Sequence, residues 1–201
     1  MKKFELTSEF ITNIFGTKLF RIKALAEFGN VKKGEFGGYV EKEENLSQDG
    51  NAWVYGNAWV YGDAEVYGNA WVCGDAEVYG NARVYGNARV YGNARVYGNA
   101  WVYGDAWVCG NARVYGNAWV YGNAEVYGNA DFATAHGFGS EYRTTTFFRL
   151  KDGNIGVRCG CFYGNLSEFR KKVVETHGET KKAKEYLMLA DLMEFRFSDN
   201  S

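Results

Sequence analysis

The chain has 201 residues, a net charge of −1 and 46% hydrophobic residues, with 17% aromatics, 26 glycines and no proline. A balance this close to neutral gives no basis for general nucleic-acid or membrane-surface attraction. The length suits one ordinary domain or a repeat array with small modules attached.

The opening stretch, MKKFELTSEFITNIFG, lacks the long apolar core of a signal peptide, and no apolar run approaches membrane length. A cytoplasmic protein without membrane association is therefore expected, and its four cysteines read as free thiols. In KLFRIKAL, Phe20, Ile22 and Ala24 alternate with Arg21 and Lys23, which predicts a strand. FGNVKKGEFGG then reads as a frayed coil, so residues 1–37 form an N-terminal cap with short strands. An array needs such covers, because a bare end presents strand edges and apolar core.

From Val54 to Val126 a valine recurs every six residues, thirteen copies of the frame Gly-Asn/Asp-Ala-x-Val-Tyr. Val40 and Leu46 extend the pattern before it and Phe132 after it, giving a repeat region of 38–135. The eight-residue step from Leu46 to Val54 implies a two-residue insertion near Ser47–Asp49. An even period suits strands: Ala and Val point inward while the variable residue and Tyr point outward. Gly with Asn or Asp makes the corner, since these residues accept left-handed backbone angles. One unit cannot bury its valine alone, so the units must wind and stack.

The variable position tests how many units close a turn. A spacing of 18 places Glu65 over Arg83, Glu77 over Arg95 and Arg113 over Asp131, with one like pair, Arg95 over Arg113. Spacings of 6, 12 and 24 do worse, and opposite charges on adjacent strands stabilise. Three units per turn is the prediction.

After Ala135 the period stops. TTTFFRL and IGVRCGCF flank KDGN, a hairpin signal. Asn165 with Glu168 opens a helix that ends at Gly178, and a second helix is predicted over about 180–196. Residues 136–201 thus read as a hairpin plus two helices.

The frame resembles the hexapeptide-repeat left-handed β-helix proteins. That resemblance implies an all-β solenoid with three hexapeptides per coil, here with a small α+β C-terminal module; left-handedness comes from the resemblance alone. RIKAL, GGYVEKEENLSQDGNAWV, the GNAxVYG array, TTTFFR, GCFYGNLSEFR and ETHGETK resemble a narrower, largely uncharacterised group in bacteria and their phages. Hexapeptide relatives make a homo-oligomer, a trimer first, the implied assembly. The phage link implies a host macromolecule as partner, a defence component included.

Acyltransferases of the hexapeptide family use a histidine between subunits, and His136 is the candidate general base for that reading. The family's carbonic anhydrases use three histidines per zinc, and this chain has two. His177 lies in a helix's last turn, where a cation is favoured. Cys159 and Cys161 with His177 fall one ligand short of a closed zinc site. Alternation instead puts Ile155, Val157, Cys159 and Cys161 on one buried strand face. Cys73 and Cys109 lie two coils apart, roughly 9.6 Å by strand spacing, too far to bridge. No cofactor or metal is expected.

Three units per coil send Arg83, Arg89 and Arg95 to three different faces, a ring and not a nucleic-acid groove. One face carries Trp53, Trp71, Arg89 and Trp107 beside Tyr91, with Arg89 between two indoles in a cation–π sandwich. Two readings stay open for that face: a ladder that stabilises the coils, or an aromatic interface. Arg143, Thr144, Thr145, Thr146 and Arg149 offer hydroxyls and guanidinium forks to an anion, although a polar strand edge has the same composition. The expectation is a non-enzymatic interaction scaffold, the alternative a hexapeptide-type acyltransferase using an acyl-CoA or nucleotide sugar.

Overall fold

The computed structural model describes residues 2–138 and 141–198. A hairpin of β1 (Phe4–Thr12) and β2 (Lys18–Ala24) leads into β3 (Phe36–Val40). Thirteen two-residue strands follow at six-residue intervals, β4 (Trp53–Val54) through β16 (Glu125–Val126). The C-terminal module comprises β17 (Phe132–Phe138), β18 (Arg143–Arg149), β19 (Ile155–Cys159), β20 (Phe162–Asn165), α1 (Leu166–His177) and α2 (Lys181–Phe197).

The repeats form a parallel β-solenoid of about five turns. Each strand pairs with the strand 18 residues away, Glu65 with Arg83 and Trp71 with Arg89, which confirms three units per turn. Before the array the offset becomes 20: Val40 pairs with Val60 and Leu46 bridges Val66. The two-residue insertion therefore lies where the sequence placed it. Alanine and valine rows fill the axis with essentially no exposure. The corners hold the coils close: Gly86 sits at φ 72°, and a Cβ there would stand 3.0 Å from the nitrogen of Gly104. Any larger residue would combine left-handed strain with a backbone clash.

The hydrogen bonds beside each strand share a direction. Trp59 N donates to Ala76 O, Tyr61 N to Val78 O and Asn57 N to Gly74 O, and the same pattern recurs along the array. Donors thus point towards the C-terminal end, and these carbonyls face the N-terminal end. The two caps meet opposite needs. At the N-terminal end donors arrive: Asn45 Nδ2, fully buried, reaches Gly62 O and Ala64 O, and Lys3 Nζ reaches Ala52 O at 3.0 Å. At the C-terminal end acceptors arrive: Thr146 Oγ1 takes the N–H of Trp119, and Asn129 Oδ1 that of Arg113.

β18 works on both faces. Thr146 and Phe148 face the last coil, and Phe148 joins the solenoid core. Phe147 points the other way into a second core with Phe169, Val173, Ala190 and Met193. The strand that seals the solenoid therefore also carries the helices. The predicted α1 capping box is present: Asn165 Oδ1 accepts from Glu168 N, Glu168 Oε2 accepts from Asn165 N, and the helix stops at Gly178.

Three expectations need correction. Asp131 does not sit under Arg113; a 3-10 turn at Asn129–Asp131 breaks the coil, and Asp131 pairs with Arg149 at 3.2 Å. Phe132 does fill the core but pairs antiparallel with Phe148, so it begins the C-terminal sheet. Cys161 leaves the buried strand face, because Cys159 pairs directly with Phe162 and Gly160–Cys161 forms the turn. The segment read only for its lack of a leader is β1, whose Phe4 is fully buried.

Thr146→Val keeps the shape of this buried side chain but strands the Trp119 N–H. It should cost about 1–3 kcal/mol in denaturant unfolding, whereas Asn81→Ala on the exposed corner should cost well under about 1 kcal/mol.

Candidate functional surfaces

The sides of the solenoid are occupied by ladders at the inter-coil spacing. Tyr61, Tyr79 and Tyr97 stack at 4.9 Å, Tyr67, Tyr85 and Tyr103 at 4.7 and 4.8 Å, and Trp101 on Trp119 at 4.7 Å. Corner asparagines chain from coil to coil, Asn81 to Asn99 to Asn117. Arg83 pairs with Glu65 and Arg95 with Glu77. These groups mostly answer one another.

Trp53, Trp71, Arg89 and Trp107 do align on one face. The Arg89 guanidinium lies 5.5 Å from the Trp71 ring and 5.3 Å from the Trp107 ring, the sandwich the sequence predicted. Tyr91 packs edge-on to Trp107. Trp53, however, is 0% exposed, roofed by Phe4 and Phe28 at ring distances of 6.2 and 5.3 Å. It is a cap residue and cannot join an exposed strip. The two rings that cover it lie 49 and 25 residues upstream of the Trp, in aperiodic sequence beyond the reach of a period count.

The anion set is divided. Thr145 and Thr146 are buried, Thr145 donating to Cys159 Sγ and Thr146 accepting from Trp119 N. Arg149 is bound to Asp131 and to Phe197 O, between the coil end and α2. Only Arg143 and Thr144 open towards solvent at a common site, where Thr144 Oγ1 contacts His136 Nδ1 at 3.1 Å. His177 stacks on Tyr186, 5.8 Å between ring centres. All four cysteines are free thiols; burial pushes the Cys73 and Cys109 thiols up, away from thiolate chemistry.

Large apolar side chains emerge at the two ends. The β1–β2 turn holds Ile14 92% and Phe15 76% exposed. Asn13 fixes that turn: its Oδ1 accepts from Phe15 N and Thr17 N. On α2, Met188, Leu192 and Phe195 form an exposed stripe with Phe195 76% exposed, opposite the buried Tyr186 and Ala190, and Leu192 and Phe195 line an open cleft that Tyr97, Arg113 and Tyr115 of the solenoid share. The stripe's i, i+4, i+7 spacing is legible in the sequence, and it makes the helix apolar on two sides.

The repeats match a family model. Residues 76–92, 88–104 and 106–122 fit one described as the YdcK beta solenoid repeat. These stretches lie within the array and span well under half of the chain, so they support the repeat solenoid and do not reach the flanking modules. A search of curated proteins finds no match.

Burial in the stacks raises the phenol pKa values of Tyr61, Tyr67, Tyr79, Tyr85 and Tyr103, that of Tyr85 to about 12. The unfolded chain releases these protons near pH 10 while the folded chain keeps them. Their contribution to stability is therefore full below about pH 10 and lost as pH rises towards 12. An alkaline titration should show a fraction of the tyrosinate absorbance that appears only together with loss of circular dichroism.

Proposed function

We propose that this chain is a non-enzymatic interaction scaffold: a capped β-solenoid that spaces two end modules and engages macromolecules through them, a second copy of itself among them. The observation that carries this reading is the placement of exposed apolar surface. The solenoid sides spend their aromatics on each other, whereas Ile14, Phe15, Met188, Leu192 and Phe195 are left outward at the ends. Burying each large side chain is worth about 1.5–3 kcal/mol, so a partner surface gains substantially at either end.

The α2 stripe suits self-association. Asp191 and Glu194 in the second half of the helix are held by Arg170 of α1, which fixes the helix with Met188, Leu192 and Phe195 exposed. Antiparallel pairing of two copies would bury these apolar side chains in an isologous contact. The resemblance to hexapeptide-repeat proteins extends this reading to left-handed winding, a cytoplasmic setting and a trimeric alternative. Its phage members supply a host macromolecule as further partner.

Light scattering should give a mass that is a multiple of the 22.6 kDa chain at micromolar concentration, and Leu192→Lys with Phe195→Lys should return it to 22.6 kDa with unchanged circular dichroism. A wild-type monomer would end the self-association part. Release of free thiol from acetyl-CoA in the presence of amino sugars, lost in His136→Ala, would move the reading to the acyltransferase.

A further inference from the structure

The direction of the bonds flanking each strand leaves N–H donors at the C-terminal end. Two strand edges there are answered, Trp119 N by Thr146 Oγ1 and Arg113 N by Asn129 Oδ1, and Asp131 Oδ2 accepts from Tyr127 N and Gly128 N. One corner is not. Asn117 ends its ladder: its Oδ1 accepts from Asn99 Nδ2 at 3.2 Å, but among the described residues no acceptor meets its own Nδ2 or its backbone N–H.

Asn117 lies on the wall of a cavity of about 490 Å³ between the last coil and the C-terminal sheet, which His136, Arg143, Thr144 and Arg158 also line. Arg158 is fixed at this site, its guanidinium 4.8 Å from the Trp119 ring and its Nη1 donating to Phe162 O. Its Nε is buried without a partner. Arg143 extends across Gly160; a Cβ at that glycine would stand 2.8 Å from Arg143 Nη1, so the bare backbone makes room for the guanidinium. The one carboxylate on the rim, Glu141, sits 3.7 Å from Arg143 and is itself largely exposed. At the rim Tyr142 holds φ 47°, a rare angle for a side chain of that size.

We propose that this cavity binds a phosphoryl or sulfuryl oxyanion carried by a small molecule. Two guanidinium groups, the amide donors of Asn117 and the imidazole and hydroxyl of the His136–Thr144 pair converge on one space with a single acidic neighbour. Guanidinium forks and amide donors match tetrahedral oxyanions. The volume exceeds what one phosphate needs and falls in the range of small-molecule sites, so the anion is the anchored end of a larger ligand of sugar-phosphate or mononucleotide size. This inference does not depend on the scaffold reading, since a scaffold or an enzyme could each hold such a ligand.

Calorimetric titration of the full chain with inorganic phosphate, a hexose phosphate and a nucleoside monophosphate tests it. Saturable binding of at least one is expected, weakened about tenfold or more by Arg143→Gln and by Asn117→Asp, which reverses the donor. Lys182→Gln, on the exposed start of α2, should leave it unchanged. Equal binding of all three probes would assign a free-anion site, and preference for an ester would assign the anchored end of that ligand. No saturable binding by the folded protein at millimolar probe, or binding unaffected by both Arg143→Gln and Asn117→Asp, would overturn the proposal.

Discussion

The structure depends on one constraint: the flanking hydrogen bonds of each strand run from an N–H in one coil to a C=O in the next, always in the same sense. Within the array the rule is invisible, since every coil both gives and receives. It matters at the ends, which are chemically unlike. At the N-terminal end a lysine and a buried asparagine amide cover the flanking carbonyls, while Glu41 accepts from Gly62 N. At the C-terminal end the flanking N–H groups meet threonine, asparagine and aspartate oxygens, while Lys151 N donates to Asn123 O. The polarity that dictates the caps also concentrates positive character beside the last coil, where Arg143 and Arg158 add to it.

Much of this architecture was legible because the repeat is a measuring device. Period six announces strand and corner, and the charge pattern at the variable position selects 18 over its competitors. The eight-residue step from Leu46 to Val54 locates the insertion to within a few residues. Legibility failed where contacts cross between periodic and aperiodic sequence. Nothing in the repeat says that Phe4 and Phe28 will cover Trp53. Nothing in the charge pattern says that Asp131 will answer Arg149 across the module boundary. Arg158 and Asn117 escaped notice for the same reason: one looks like a strand arginine and the other like any corner asparagine until the last coil is known.

The uniformity of the array has a cost in specification. Residues 82–100 repeat the same six letters, so local packing there cannot distinguish one register from another. The discriminating features are sparse: Glu65 with Arg83, Glu77 with Arg95, the Arg89 sandwich, and the two caps. The irregular residues, few as they are, do most to define a single fold.

Three strands to a coil also make the array a protractor. Adding or removing three repeats lengthens or shortens the column by one layer and returns the C-terminal sheet to the same compass bearing relative to the N-terminal hairpin. Adding or removing one repeat turns that sheet through a third of a circle while every buried alanine and valine stays in place. The core is blind to such a change, but the angle between the two end modules is not. Copy number in this gene product is therefore a geometric parameter, set in discrete steps, that can re-aim one end of the molecule against the other without altering a single side chain in either.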